Sequence, residues 1–348
     1  MTVAIGVAGD PGGGDDEDRA VPVGGERSVG RGARIARLLA ETDGVELVGV
    51  CGVPDVSGRS PTPDGPGSAG VDGVPRYDRD RLLAVADGLV VATTGETGAE
   101  WIRAAADAGV HVLATAVPGG SPAALRELDD DCAAAGVRAG VATPLRHAVP
   151  ARRAREQVPG TGEPVGLSVR FGGRLPGVAP DGALGRLGHV VDLVGWLTGR
   201  EVESVLAEPT GTDATAEGAD AATPWTDAIA DAAVSLRLAG GVPALLAGTV
   251  GDRGPPSVAL DVSGTGGVVE ADLFAQRLAG SPAAAPDGVD DPLFYGVDPT
   301  RAAVERFVRT VAGDAPATPL SAAADALAVV AAASASRSRG EPVAVEET

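Results

Sequence analysis

AEWIRAAADAGVHVLATAVPGG, residues 99–120, decides the fold. Residues 99–109 read as a helix closed by Gly109, a common left-handed stop. His111 to Ala114 reads as a short buried strand, followed by a turn at Pro118-Gly119-Gly120. Helix and strand in this order belong to a parallel α/β layer, where ligands sit beyond the carboxyl ends of the strands. At that end Thr115-Ala116-Val117 offers one hydroxyl and no charge.

The pattern repeats on both sides. VAIGVA (3–8) is an apolar run of strand length, and ARIARLLAETDG (33–44) carries Ile35, Leu38 and Leu39 on one helical face. VELVGVC (45–51) is a second strand, and the Pro-, Gly- and Ser-rich residues 54–75 read as a long loop. RDRLLAVA (79–86) is helical and LVVAT (89–93) a strand. Ser121-Pro122 caps the next helix, and VRAGVA (137–142) is a strand. Strands separated by such helices imply a doubly wound parallel sheet over residues 1–145.

The signal changes near Val165. Alternating segments at 165–171, 202–208, 232–238, 244–250 and 257–263 follow with few helices between them, as in a largely antiparallel sheet. Two helices within 298–336 close the chain. The expected fold class is therefore α/β: a Rossmann-type parallel sheet, then a second α/β domain over 146–348 with an open sheet.

The chain holds 48 acidic and 28 basic residues, a net charge of −20, and every basic residue is arginine. A self-repelling acidic surface costs stability in dilute buffer and keeps a protein soluble in concentrated salt, so a halophilic protein is expected. No arginine-rich stretch forms a basic face, which argues against nucleic acid. No bilayer-spanning run or signal peptide is read, so a cytoplasmic protein away from membranes is expected. Cys51 and Cys132, both in apolar segments, argue against a disulfide framework and a thiolate metal site.

A strand running into glycines and then a helix is the pattern of a dinucleotide site: a tight turn, close backbone approach to pyrophosphate, and a helix N-terminus aimed at it. Here the first strand ends at Gly9, while the helix begins after Val29-Gly30-Arg31-Gly32. An acidic, glycine-rich insertion, residues 10–29, lies between.

The order of segments resembles the glucose–fructose oxidoreductase, inositol dehydrogenase and MocA family (Gfo/Idh/MocA) over nearly the whole chain. The resemblance is carried by ETDGVELVGVC, VDGVPRYDRDRLLAVADGLVVAT, AEWIRAAADAGVHVL, the linker-like LRHAVPARRAREQV and GHVVDLVGWLTGREVESVLAE. It implies a Rossmann domain, NAD or NADP, hydride transfer at a hydroxyl or carbonyl carbon of a sugar, polyol or related small molecule, and homo-oligomers through the open sheet. It implies cofactor contacts at Gly9, Gly30 and Gly32, and a cleft edged by Thr93, Thr94 and Pro118. It implies a catalytic histidine at His189 with Asp192 on the same helical face, at a spacing that lets the carboxylate orient the imidazole.

Several positions depart from the family pattern. Val117 stands in place of the lysine that holds the reacting oxygen, and Ala116 in place of the glutamate before it. The ribose acid is replaced at Gly52, with Asp55 less well placed and Arg59 a candidate for a 2′-phosphate. Gly185 or Arg186 occupies the place of the acid upstream of His189, and Gly98 the place of a histidine. A valine cannot move a proton, and arginine is too basic to do so near neutral pH. Two readings follow: an NAD(P)-dependent oxidoreductase with a degraded catalytic motif, or a non-catalytic relative that binds a nucleotide, a sugar-like ligand or a partner protein.

Overall fold

The computed structural model describes residues 2–9, 31–53, 73–115, 117–173, 185–209, 231–249, 256–275, 277–280, 299–315 and 318–345. The insertion at 10–29, Gly30, Asp55, Arg59 and Ala116 lie outside these residues. The chain divides into two compact units, Met1–Ala142 with Ala303–Ala322, and Thr143–Ala302 with Ala323–Thr348. The sequence places a single cut at 145 and both closing helices in the second domain. Instead, most of the first closing helix belongs to the first unit.

The first unit is a five-stranded parallel sheet in the order β2-β1-β3-β4-β5, flanked by helices. Its elements are β1 (Val3–Ala8), α1 (Arg31–Ala40), β2 (Val45–Cys51), α2 (Arg79–Val85), β3 (Gly88–Val91), α3 (Gly95–Asp107), β4 (His111–Ala114), α4 (Pro122–Ala134) and β5 (Ala139–Val141). This is the Rossmann-like arrangement, with the strand order reversing beside β1. β3 is buried along its whole length, because it is covered on both faces. The helix over Pro299–Val311 (numbered α8 in chain order) inserts Val304, Phe307 and Val308 into the core made by Val3, Ile5, Ile35 and Leu39. That burial holds its chain segment on the first unit despite its late position in the sequence.

Sequence chemistry sets the helix ends. Asp78 accepts a hydrogen bond from Arg81 N and caps α2, while Ser121 accepts one from Ala124 N and caps α4, with Pro122 at its first position. α3 starts four residues before the expected Ala99, because Thr94 leaves extended backbone and Gly95, at φ 58°, turns into the helix.

The second unit is built on an eight-stranded sheet in the order β12-β11-β10-β6-β9-β8-β7-β13. The strands are β6 (Pro164–Gly172), β7 (Val202–Pro209), β8 (Asp231–Leu238), β9 (Val242–Thr249), β10 (Ser257–Gly264), β11 (Gly267–Asp272), β12 (Arg277–Gly280) and β13 (Val343–Ala344). All neighbours are antiparallel except β6 and β9. Leu167, Val169 and Phe171 alternate with exposed or half-buried neighbours along β6, the pattern of a sheet with one covered face. The unit also holds α5 (Pro144–His147), α6 (Val149–Gln157), α7 (Gly185–Thr198) and most of α9 (Leu320–Arg339). By length and composition α9 could cross a bilayer, contrary to the expectation that no such run exists. Most of its apolar window is packed inside the protein, with Ala324, Leu327 and Ala333 buried, as in the core helix of a globular unit.

Candidate functional site

Two groups of residues carry the candidate chemistry, one in each unit. In the first unit, Gly9 ends β1, and its N–H donates to Cys51 O at 2.8 Å. A side chain at Gly9 would begin 3.0 Å from both Gly52 O and Val53 Cγ2. One at Gly32, in the first turn of α1, would begin 3.1 Å from Val53 Cγ2 and 3.8 Å from Gly9 Cα. The end of β1 and the start of α1 therefore meet closely, although the insertion separates them in sequence. A side chain at either position would press on Val53, so the two glycines ease this approach, and a close backbone approach is what a pyrophosphate requires.

Beside it lie the ends of β3 and β4. Thr93 is buried, and its Oγ1 has no hydrogen-bond partner among the described residues. Thr94 is exposed and makes no side-chain cap bond to α3. Pro118 is buried and pairs with Gly95. Gly95 N donates to Val117 O at 3.4 Å, and Gly119 N donates to Gly95 O at 2.7 Å. These bonds stitch the turn after β3 to the turn after β4. Gly98 is buried below them: a Cβ there would lie 2.8 Å from Thr93 O and 3.3 Å from Pro118 Cβ. A histidine, which the family resemblance puts at this position, would have no room here. Val117 is 3% exposed and packs inward. Thr115, the one hydroxyl of the opening stretch, donates to Val91 O at 3.2 Å.

An open groove of about 810 Å³ lies at the opposite, amino-terminal edge of the same sheet, lined by Val3, Asp87, His111 and Val311 among others. His111 Nδ1 accepts from Arg138 N there. That edge faces the amino ends of the strands, so the nucleotide chemistry belongs to the carboxyl end despite the groove's size.

In the second unit, His189 and Asp192 both lie on α7, as expected from their spacing. The pair they were expected to form is absent. Both Asp192 oxygens are held by Arg146 of α5, from Nε at 2.8 Å and from Nη2 by a second, shorter bond. Arg146 also lies over the ring of Trp196, at 6.0 Å, and Arg155 lies over the same ring at 4.4 Å. Asp192 is buried, which pushes its carboxyl up while Arg146 pulls it down. A guanidinium offers two parallel donors to a carboxylate and outcompetes an imidazole for it. His189 is left with a buried Nδ1 that has no partner among the described residues, and burial pushes its pKa down to about 4. It is a neutral imidazole at pH 7.

No group of three or more His, Cys, Asp or Glu among the described residues is placed to hold a metal. Burial pushes the Cys132 thiol up to about 11, so it packs as a small apolar group.

The sequence matches no protein-family model and no curated protein. The fold matches solved dehydrogenases along their full length. A probable dehydrogenase from Thermotoga maritima superposes with a TM-score of 0.70 at 19% identity, covering 99% of each chain. UDP-N-acetylglucosamine 3-dehydrogenase GnnA from Acidithiobacillus ferrooxidans superposes with a TM-score of 0.71 at 18% identity, covering 97% of this chain and 99% of its own. An oxidoreductase from Agrobacterium radiobacter, in complex with NAD+, L-tartaric acid and magnesium, superposes with a TM-score of 0.70 at 16% identity over 99% of each chain. At these identities the likeness is one of fold.

Proposed function

We propose that the chain is an NAD(P)-dependent oxidoreductase of the Gfo/Idh/MocA type, acting on a hydroxyl or carbonyl group of a sugar, polyol or related small molecule. The observation that carries this reading is the close approach of Gly9, at the end of β1, to Gly32, in the first turn of α1, both packed against Val53. The orphaned Thr93 hydroxyl at the same edge is a donor awaiting an acceptor, as a phosphate or ribose oxygen would be. Likeness over nearly the whole chain to a probable dehydrogenase and to an oxidoreductase holding NAD+ supports the same reading.

When bound, the nicotinamide supplies the hydride chemistry. The protein's share is to hold it: Gly9 and Gly32 admit the phosphates, Thr93 and Thr94 offer hydroxyls, and Pro118 shapes the cleft edge. His189, neutral at pH 7, is the proton acceptor in this reading, and Asp192 acts through the Arg146 pair to fix α7 rather than through the imidazole.

One observation favours a second reading, a non-catalytic relative that binds a nucleotide, a sugar-like ligand or a partner protein. The position of the proton-moving lysine is a buried valine, and a base near pKa 4 is weak at neutral pH. Cytoplasmic location and assembly through the open sheet complete the proposal. Leu245, 47% exposed, stands on the outer face of β9 between Ser168 of β6 and Ser235 of β8, an apolar contact a second copy could cover.

Fluorescence titration with NADH and NADPH in molar KCl tests the reading. Saturable micromolar binding is expected, and failure of both to bind removes it. His189→Ala then separates the two readings: in an oxidoreductase it abolishes turnover of a screened polyol panel and leaves cofactor binding intact. Absence of turnover by the unaltered protein selects the non-catalytic relative.

A further inference from the structure

We infer that Arg76 is a specificity-determining residue and that the cofactor it selects carries a 2′-phosphate. This deepens the nucleotide reading above and rests on it.

β2 is the edge strand of the parallel sheet, and its carboxyl end is where the adenosine ribose lies when the pyrophosphate occupies the turn after β1. Selection of an unphosphorylated ribose needs a carboxylate there to accept the 2′-hydroxyl. Here the strand runs into Gly52, which has no side chain and sits at φ 65°. The corner is adjacent to the phosphate cradle, because Gly9 N donates to Cys51 O and a Cβ on Gly9 would touch Gly52 O.

A cation is built into the same corner. Residues 75–77 run parallel to the outer edge of β2: Val50 N donates to Pro75 O at 2.9 Å, and Tyr77 N donates to Val50 O at 3.0 Å. This register carries Arg76 alongside the strand, where its Nη1 donates to Val53 O at 2.6 Å. The guanidinium is thereby tethered one residue beyond Gly52. A guanidinium has five N–H groups in a planar fork that matches two phosphate oxygens, whereas a ribose hydroxyl gives it one neutral acceptor. Among the described residues the corner combines a strand end whose Gly52 carries no side chain, an arginine anchored on Val53 O, and direct contact with Gly9 at the end of β1. In a chain of net charge −20, a dianionic phosphate requires such a local cation.

The test is binding, independent of turnover. NADPH and NADH are titrated by fluorescence in molar KCl, with 2′,5′-ADP and ADP as competitors that probe the adenosine half alone. NADPH is expected to bind about tenfold to a hundredfold more tightly than NADH, the range of a charge-assisted hydrogen bond. Arg76→Ala is expected to weaken NADPH by about the same factor and leave NADH unchanged, with Arg76→Lys in between. Gly52→Asp, a residue type that tolerates a left-handed backbone, is expected to invert the preference and decides the matter should Arg76→Ala fail to fold. Equal or tighter NADH binding by the unaltered protein, or equal weakening of both cofactors by Arg76→Ala, overturns the role of Arg76. Binding of neither nucleotide instead overturns the nucleotide reading itself, and this inference with it.

Discussion

Arg146 grips Asp192 through both carboxylate oxygens, and so the acid one turn from His189 serves an arginine and not the imidazole. The pair joins α5 to α7 across 46 residues of sequence. Asp192 is 2% and Arg146 18% exposed at the side chain, so the carboxylate has almost no water to fall back on and the guanidinium little.

Asp192→Leu or Arg146→Met alone leaves one nearly dry charge unpaired, at a cost of about 3–5 kcal/mol. The double variant removes both charges and is expected to be more stable than either single one. Denaturant melts in molar KCl, analysed as a double-mutant cycle, measure this; additive losses would show that the pair contributes nothing as a pair.

His189 ties stability to pH. Its pKa in the fold is about 4 against 6.5 when exposed, so between these values the unfolded chain binds the extra proton. Stability from this group is present above about pH 6.5 and is lost as the pH falls toward 4. Partial surface access limits the effect to at most about 3 kcal/mol. His189→Leu is expected to flatten the difference between melts at pH 7 and pH 5 relative to the unaltered protein. An unchanged difference would place the histidine in water.

Gly98→Ala drives a methyl group to 2.8 Å from the Thr93 carbonyl, so the turn after β3 must shift. A loss of about 1–3 kcal/mol is expected, typical of overpacking. Gly120→Ala, where a side chain meets nothing within 4 Å, is the control and is expected to stay within about 0.5 kcal/mol. The two are compared by thermal melts.

The net charge of −20 makes the fold sensitive to screening. Raising KCl from about 0.1 M to about 1 M shortens the Debye length from about 10 Å to about 3 Å and relieves repulsion between carboxylates. The melting temperature is expected to rise with salt across this range. A flat or falling curve would mean that surface repulsion does not limit stability.

Leu245→Glu places a charge at the centre of the outer sheet face, away from the buried one. Light scattering is expected to show an oligomer for the unaltered chain and a monomer for the variant, with the melt little changed. A monomeric unaltered chain would refute assembly through this face.

The α/β layering was legible because its signal is local. Strand-length apolar runs, helical stripes, and stops at Gly44 and Gly109 depend on neighbours a few residues apart, and β1, β2, β4 and the cap at Ser121 lie where those signals put them. Composition likewise determined the acidic surface. Tertiary structure alone decided what each candidate side chain touches. No period in the sequence pairs Arg146 with Asp192, brings Gly32 onto Gly9 past an insertion, tethers Arg76 beside Gly52, or returns Phe307 to the core of the first unit. Those contacts follow from packing between distant segments, where burial and donor geometry choose the partner; linear spacing along one helix, which offered Asp192 to His189, does not count the competitors that folding brings in.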